Sequence, residues 1–225
     1  MLCGNHKQLG PVVRSRFCRE HGLAVSLLER LICLPAYATG DARRTTKLVN
    51  NYRSHGDLLA LPSRLFYADE LRECAAHETT RALCDWTELR RAGFPFLFLG
   101  VQGLHMHEVD SPSYYNVTEA EKVAELIDKL THGTQADGRP ISTDDVAVVT
   151  PFRMQARRAT PLLALTHSRT RLVREAKNFL SHFPACTQVV KLRMMLRARG
   201  LGAVRVGSVD DYQGQEEKII IISTV

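Results

Sequence analysis

A chain of 225 residues with 44% hydrophobic content is long enough to bury one good core and part of a second. No apolar run approaches the roughly 20 residues that span a bilayer, no secretory apolar core follows Met1-Leu2-Cys3, and six scattered cysteines without a C-x-x-C pair argue against a disulfide frame or zinc site. The net charge of +6 suggests a polyanionic partner, but Arg157, Arg158, Arg169, Arg171, Arg174 and Lys177 face Glu175 alone within residues 156–188, so that segment holds five of the six net charges.

In chain order, Gly4-Asn5-His6-Lys7-Gln8-Leu9-Gly10-Pro11 is a polar loop, and the pattern predicts a helix over Arg19 to Cys33. A polar link at Thr39-Gly40-Asp41 then closes residues 1–46 as the end of a first domain. Lys47 to Tyr52 reads as a short strand opening a second domain, 47–225. The next helix, Gly56 to Tyr67, has Leu58, Leu59, Leu61 and Leu65 as its apolar face and Ser54 as its expected cap. Phe94 to Val101 reads as a strand, with Pro95 favouring an edge or a strand start. A helix over Thr118 to Thr131 has Thr118 as expected cap and Glu121 closing a capping box. There follow a strand at Val146 to Thr150, a helix from Val189 to Arg199 stopped by Gly200, and strands at Val204 to Val209 and Lys218 to Thr224. Strands that alternate with helices and read as continuous apolar runs imply an α/β fold, a parallel sheet covered by helices on both faces.

Residues 156–188 break that alternation, since only Arg171 to Leu180 has the makings of a short helix. Two origins remain open: a translated intron or unusual splice product, whose removal would join Gln155 to Val189 in one uninterrupted helix, or a genuine surface insertion.

The segment Val206 to Glu216 followed by the apolar run Ile219 to Val225 reads as strand, polar loop, buried strand. A glycine-bearing polar loop at the carboxyl end of a parallel strand is where open α/β sheets bind nucleotides. Other clusters carry less. His105-Met106-His107-Glu108 lacks a distant pair of ligands and reads as solvent-facing, so no metal site is expected. Trp86, Phe94, Phe96 and Phe98 read as packing residues, and Arg90-Arg91 as a solvated face.

Three blocks in order, the Gly4 to Pro11 loop, Asn51-Tyr52-Arg53-Ser54-His55 and Val206 to Glu216, resemble motifs III, IV and V of superfamily 1 helicases of the up-frameshift-like group. Ser26-Leu27-Leu28-Glu29-Arg30-Leu31, Leu61 to Tyr67 and Ser111-Pro112-Ser113-Tyr114-Tyr115-Asn116 look like the Mov/Armitage branch of RNA helicases, nearest its germline Mov-like members in piRNA production. The resemblance covers everything except residues 156–188. It implies most of a second RecA-like domain and the tail of a first, binding ATP and Mg2+ between such domains and moving along single-stranded RNA. Piwi/Argonaute-type proteins are the implied partners, and the cytoplasm or its ribonucleoprotein granules the implied location, with no membrane.

Carried over residue by residue, the resemblance makes Gln8 a sensor of the terminal phosphate and Arg53 the arginine that reaches the γ-phosphate, with Tyr52 near the nucleotide. Gly214 and Glu216 would line the nucleotide side of motif V and Gln213 orient its loop, while Thr150, Pro151, Ser208 and Val209 would contact RNA, with Arg153 as a further phosphate contact. Asn5 stands where the family has Asp. The 225 residues contain no G-x-x-x-x-G-K-[ST] phosphate loop, no matching acidic block for magnesium, and stop before motif VI, so they are expected to be inactive alone. The alternatives are a catalytically dead, RNA- or protein-binding truncated isoform and a gene-model product without a stable fold.

Overall fold

The computed structural model describes residues 2–10, 13–38, 40–41, 43–107, 114–133, 139–151 and 187–225. The chain divides into two compact units, Met1–Leu97 and Phe98–Val225.

In the first unit, helices α1 (Arg16–Glu20) and α2 (Leu27–Ile32) replace the single helix expected over Arg19 to Cys33. Gly22 turns into the left-handed region at φ 81°, which ends the first helix, and the Ser26 hydroxyl accepts the Glu29 N–H at 3.1 Å to start the second. After α3 (Pro35–Ala38), the short strand β1 (Asn50–Asn51) precedes α4 (Gly56–Phe66) and pairs in parallel with β2 (Arg72–Glu73), ahead of α5 (His77–Thr80). The compact unit Met1–Leu97 spans residue 47, where the sequence pattern opens a second domain. Asn5 reaches Tyr67 at the end of α4 through a 2.8 Å hydrogen bond, which ties the 50–73 region to the first unit.

Helix α4 is capped by His55, whose Nδ1 accepts the Asp57 N–H at 3.1 Å, and not by Ser54. The Ser54 N–H is instead taken by the Asn51 side chain. Of the expected apolar face only Leu59 is buried, beside Ser63, while Leu58, Leu61 and Leu65 are exposed. The strand expected over Phe94 to Val101 does not form, and among the described residues no strand pairs with it; Phe96 packs edge-to-face on Phe94 at 6.3 Å yet stays half exposed, and Phe98 is exposed.

The second unit holds the main sheet. An antiparallel pair, β3 (Met106–His107) and β4 (Tyr114–Tyr115), leads into α6 (Val117–Thr131), a single turn of 3-10 helix at Thr143–Asp145, and β5 (Val146–Thr150). Then come α7 (Thr187–Ala198), β6 (Arg205–Ser208) and β7 (Ile219–Ile222). The strand order is β6-β5-β7, all parallel, with Thr150 opposite Ser208 and Val149 opposite Ile222. Every residue of β5 is buried, as a continuous apolar run on a central parallel strand requires. Helices α6 and α7 pack on each other, and Ala120, Ala124 and Ile127 on one and Leu192 and Leu196 on the other are buried. Burial of Ile127, Leu192 and Leu196 contributes about 1.5–3 kcal/mol each. The result is the expected RecA-like α/β arrangement of a parallel sheet flanked by helices.

Helix α6 begins one residue earlier than expected and is capped by Asn116, whose Oδ1 accepts the Glu119 N–H at 3.1 Å; Thr118 is exposed on the first turn. Gly103 lies against that cap, where a Cβ would stand 2.5 Å from Asn116 Oδ1. Gly200, at φ 76°, ends α7, with the Leu201 N–H returning to the Leu196 carbonyl at 2.8 Å. The spacer 156–188 lies outside the described residues up to 186, but Gln188, assigned to it by sequence, is a fully buried residue of α7. Among the described residues, no helix is long and apolar enough to cross a membrane.

Candidate functional site

In the second unit, parallel pairing carries the sequence-predicted residues to one edge. Thr150 ends β5 and Ser208 ends β6 in direct register, and the Val209 N–H donates to the Thr150 carbonyl at 3.2 Å. Pro151 follows β5 and is exposed, as is Val209 at 41%. Thr150 and Ser208 are buried, and the Ser208 hydroxyl and N–H both donate to Asp211 Oδ2, at 2.8 and 2.9 Å. A ligand at this edge therefore meets Pro151, Val209 and backbone first. Arg153 lies outside the described residues.

Asp211 was not singled out from sequence, although an acid three residues after a serine is a known loop signal. From Ser208 the chain turns through hydrogen bonds of the Asp211 and Tyr212 N–H groups to the Ser208 carbonyl, and Gly214 takes φ 82°, where a side chain would be strained. Gln213, Gly214 and Glu216 are exposed on this turn. Tyr212 lies over Gly207, where a Cβ would stand 3.0 Å from its ring, and its burial raises the phenol pKa above the ordinary 10.0 despite the nearby Arg205 and Arg193.

In the first unit, the Gln8 loop is shaped by Asn5, whose Oδ1 accepts the Lys7 N–H at 3.0 Å while its amide donates to the Tyr67 hydroxyl. Gln8 itself is exposed. The Arg53 loop has the same logic: Asn51 Oδ1 accepts the N–H groups of Arg53 and Ser54 at 2.9 and 2.8 Å. Tyr52 is 72% exposed. His55 Nδ1 acts as acceptor, so its Nε2 carries the proton, and that buried N–H has no partner among the described residues.

The family model of an AAA domain matches residues 23–225. The chain belongs to that family. Over its whole length it is 38% identical to the RNA helicase Mov10l1 of Homo sapiens and 37% identical to the helicase mov-10-B.1 of Danio rerio. It is also 27% identical to the "Probable RNA helicase armi" of Drosophila melanogaster, again across the full chain. These place it in the Mov/Armitage branch. The chain spans 16%, 20% and 17% of those three relatives' lengths.

For a member of this family, the Asn5 departure is chemically mild. An aspartate could accept both from the Lys7 N–H and from the Tyr67 hydroxyl, whereas the amide accepts the first and donates the second, so the loop keeps both fastenings. A second feature missed in the sequence is Arg193 of α7, whose guanidinium donates twice to the Val206 carbonyl of β6, at 3.1 and 2.6 Å. Beside it a pocket of about 310 Å³ is lined by Arg193, Arg197, Arg205, Tyr212 and Gln215. Of its three guanidiniums, Arg193 is bound to the neutral Val206 carbonyl and Arg205 is paired with the Glu217 carboxylate.

Proposed function

We infer that the chain is part of an ATP-dependent RNA helicase that translocates on and unwinds RNA in small-RNA (piRNA) silencing, with Piwi/Argonaute-type partners in the cytoplasm or its ribonucleoprotein granules. The observation that carries this reading is the alignment of Thr150-Pro151 and Ser208-Val209 at one edge of a parallel sheet, continuous with the glycine turn at Gly214. Strand-end backbone can grip a phosphate chain without reading bases, which suits an enzyme that must step along any sequence.

Gln8 and Arg53 fit a phosphate ligand: each sits on a loop whose backbone an asparagine fixes, with its neighbouring amides already satisfied. ATP supplies the phosphoryl group whose transfer drives the cycle. Gln8 orients water or a phosphate oxygen through a neutral amide, and Arg53 stabilises the charge that grows on the transferred group. Mg2+ would be held by an acidic block and phosphate loop that these 225 residues do not contain.

In the complete helicase, Arg53→Ala lowers RNA-stimulated ATP turnover on the order of 10³-fold while RNA affinity stays close to the parent's. The 225-residue chain alone binds single-stranded RNA in a fluorescence anisotropy titration, and Val209→Asp weakens that binding. Absence of any binding at low salt sinks the RNA reading. The competing reading is a non-catalytic RNA- or protein-binding isoform. RNA binding by a native protein that begins at Met1 and shows no ATP turnover would select it.

A further inference from the structure

Four side chains and backbone groups of the second unit close a hydrogen-bonded ring that no motif describes. The Asn116 N–H donates to Gln188 Oε1 at 3.1 Å, and Gln188 Nε2 donates to Ser223 Oγ at 3.1 Å. The Ser223 hydroxyl donates to Glu119 Oε1 at 2.8 Å, and the Glu119 N–H returns to Asn116 Oδ1 at 3.1 Å. Asn116, Gln188 and Ser223 are all buried. The ring joins the first turn of α6, the first turn of α7 and the end of β7, and the Ser223 N–H fastens it to the Val149 carbonyl, one residue before Thr150. Glu119 Oε1 also accepts the Thr224 N–H.

The residue between α6 and β7 must offer one acceptor and one donor at once. A carboxamide does so, a thioether of similar volume leaves buried groups unpaired, and an ionised carboxylate would face Glu119 across Ser223 without a proton to give.

Residues 155 and 188 are both glutamine, so removing 156–188 and removing 155–187 yield the same shorter sequence. Sequence cannot tell which glutamine belongs to the body; the ring does. We propose that residues 155–187 are an excisable insert, and that the glutamine preceding Val189 is a positioning residue which holds the carboxyl edge of the sheet in both the long and the short form of the chain. In the short form four residue steps separate Pro151 from that glutamine, a reach of up to about 13 Å. Gln188 is linked to β5 through a single serine, Ser223, and it is this link that the shorter join has to preserve.

The test compares the full chain with the form lacking 155–187, using thermal unfolding and residue-resolved amide hydrogen exchange. The short form unfolds no earlier than the long one, and its Asn116 and Thr224 amides exchange no faster. In the long form Gln188→Met accelerates exchange of the Asn116 and Thr224 amides by about tenfold or more, while Gln155→Met leaves both unchanged. In the short form the same change at the one remaining glutamine reproduces the loss. Gln188→Glu supplies a readout that mere volume would not move: its protection is low when the carboxyl is ionised and recovers as falling pH restores a proton to donate to Ser223. If Gln188→Met unfolds the chain, that pH recovery still decides. The proposal is overturned if the short form fails to fold, if Gln155→Met disturbs the long form, or if Gln188→Met or Gln188→Glu leaves the Asn116 amide as protected as in the parent at neutral pH.

Discussion

At the scale of single residues, the motif V loop is held by a carboxylate rather than by the serine assigned to RNA. Asp211 takes both protons that Ser208 offers, so Asp211→Ala leaves a buried N–H and hydroxyl to find water. A loss of about 1–3 kcal/mol follows, read as a shift of the urea midpoint without a change of slope. Tyr212 gives the loop a dependence on alkaline pH. Its folded pKa is raised above 10.0 by burial, so the stability it contributes is complete below that ordinary value and declines as pH rises from there toward the folded pKa, because only the unfolded chain ionises readily. Tyr212→Phe should flatten this part of the alkaline stability profile; a profile that keeps its shape would assign the decline to another group.

At the scale of elements, helix starts separate what the sequence makes legible from what it leaves open. The body of α6, the central strand β5 and the glycine stop of α7 follow from period, apolar run and left-handed demand, and each stands within a residue or two of expectation. The caps do not. Asn116 displaces Thr118, and His55 displaces Ser54, because the choice between neighbouring polar residues depends on partners distant in sequence: Gln188 holds the Asn116 backbone, and Asn51 has taken the Ser54 N–H. The same reason explains the missing Phe94 to Val101 strand, since a short apolar run specifies a strand only where another edge receives it. Among site residues, the loops that carry Gln8, Arg53 and Gly214 are readable as motifs, but the groups that fix them, Asn5, Asn51 and Asp211, become visible only through their bonds. Asn116→Ala is expected to cost about 1 kcal/mol as a lost cap and more if the ring opens with it, whereas Thr118→Ala stays within about 0.5 kcal/mol. Equal effects in thermal unfolding would return the cap to Thr118.

At the scale of the whole molecule, charge and motif make different claims about how a nucleic acid is held. Residues 156–188 carry five of the six net positive charges, yet the strand-end loops at Pro151 and Val209 belong to the rest of the chain. If those loops hold RNA, a form lacking 155–187 keeps its affinity for a single-stranded oligonucleotide, and the slope of log K against log salt is unchanged within about one unit. If the basic segment holds it instead, six cations released from phosphate contact flatten the slope by about 4, at roughly 0.7 per contact on single strands, and low-salt affinity collapses. The first outcome is expected, because phosphate contacts that position a chain for stepping must move with the sheet that carries them, and the fastenings of that sheet edge, from Ser208 to Asp211 and from Gln188 to Ser223, all lie outside 155–187. A salt titration of both forms by fluorescence anisotropy separates the two, and a flattened slope would relocate the RNA contacts from the motif loops to the insert.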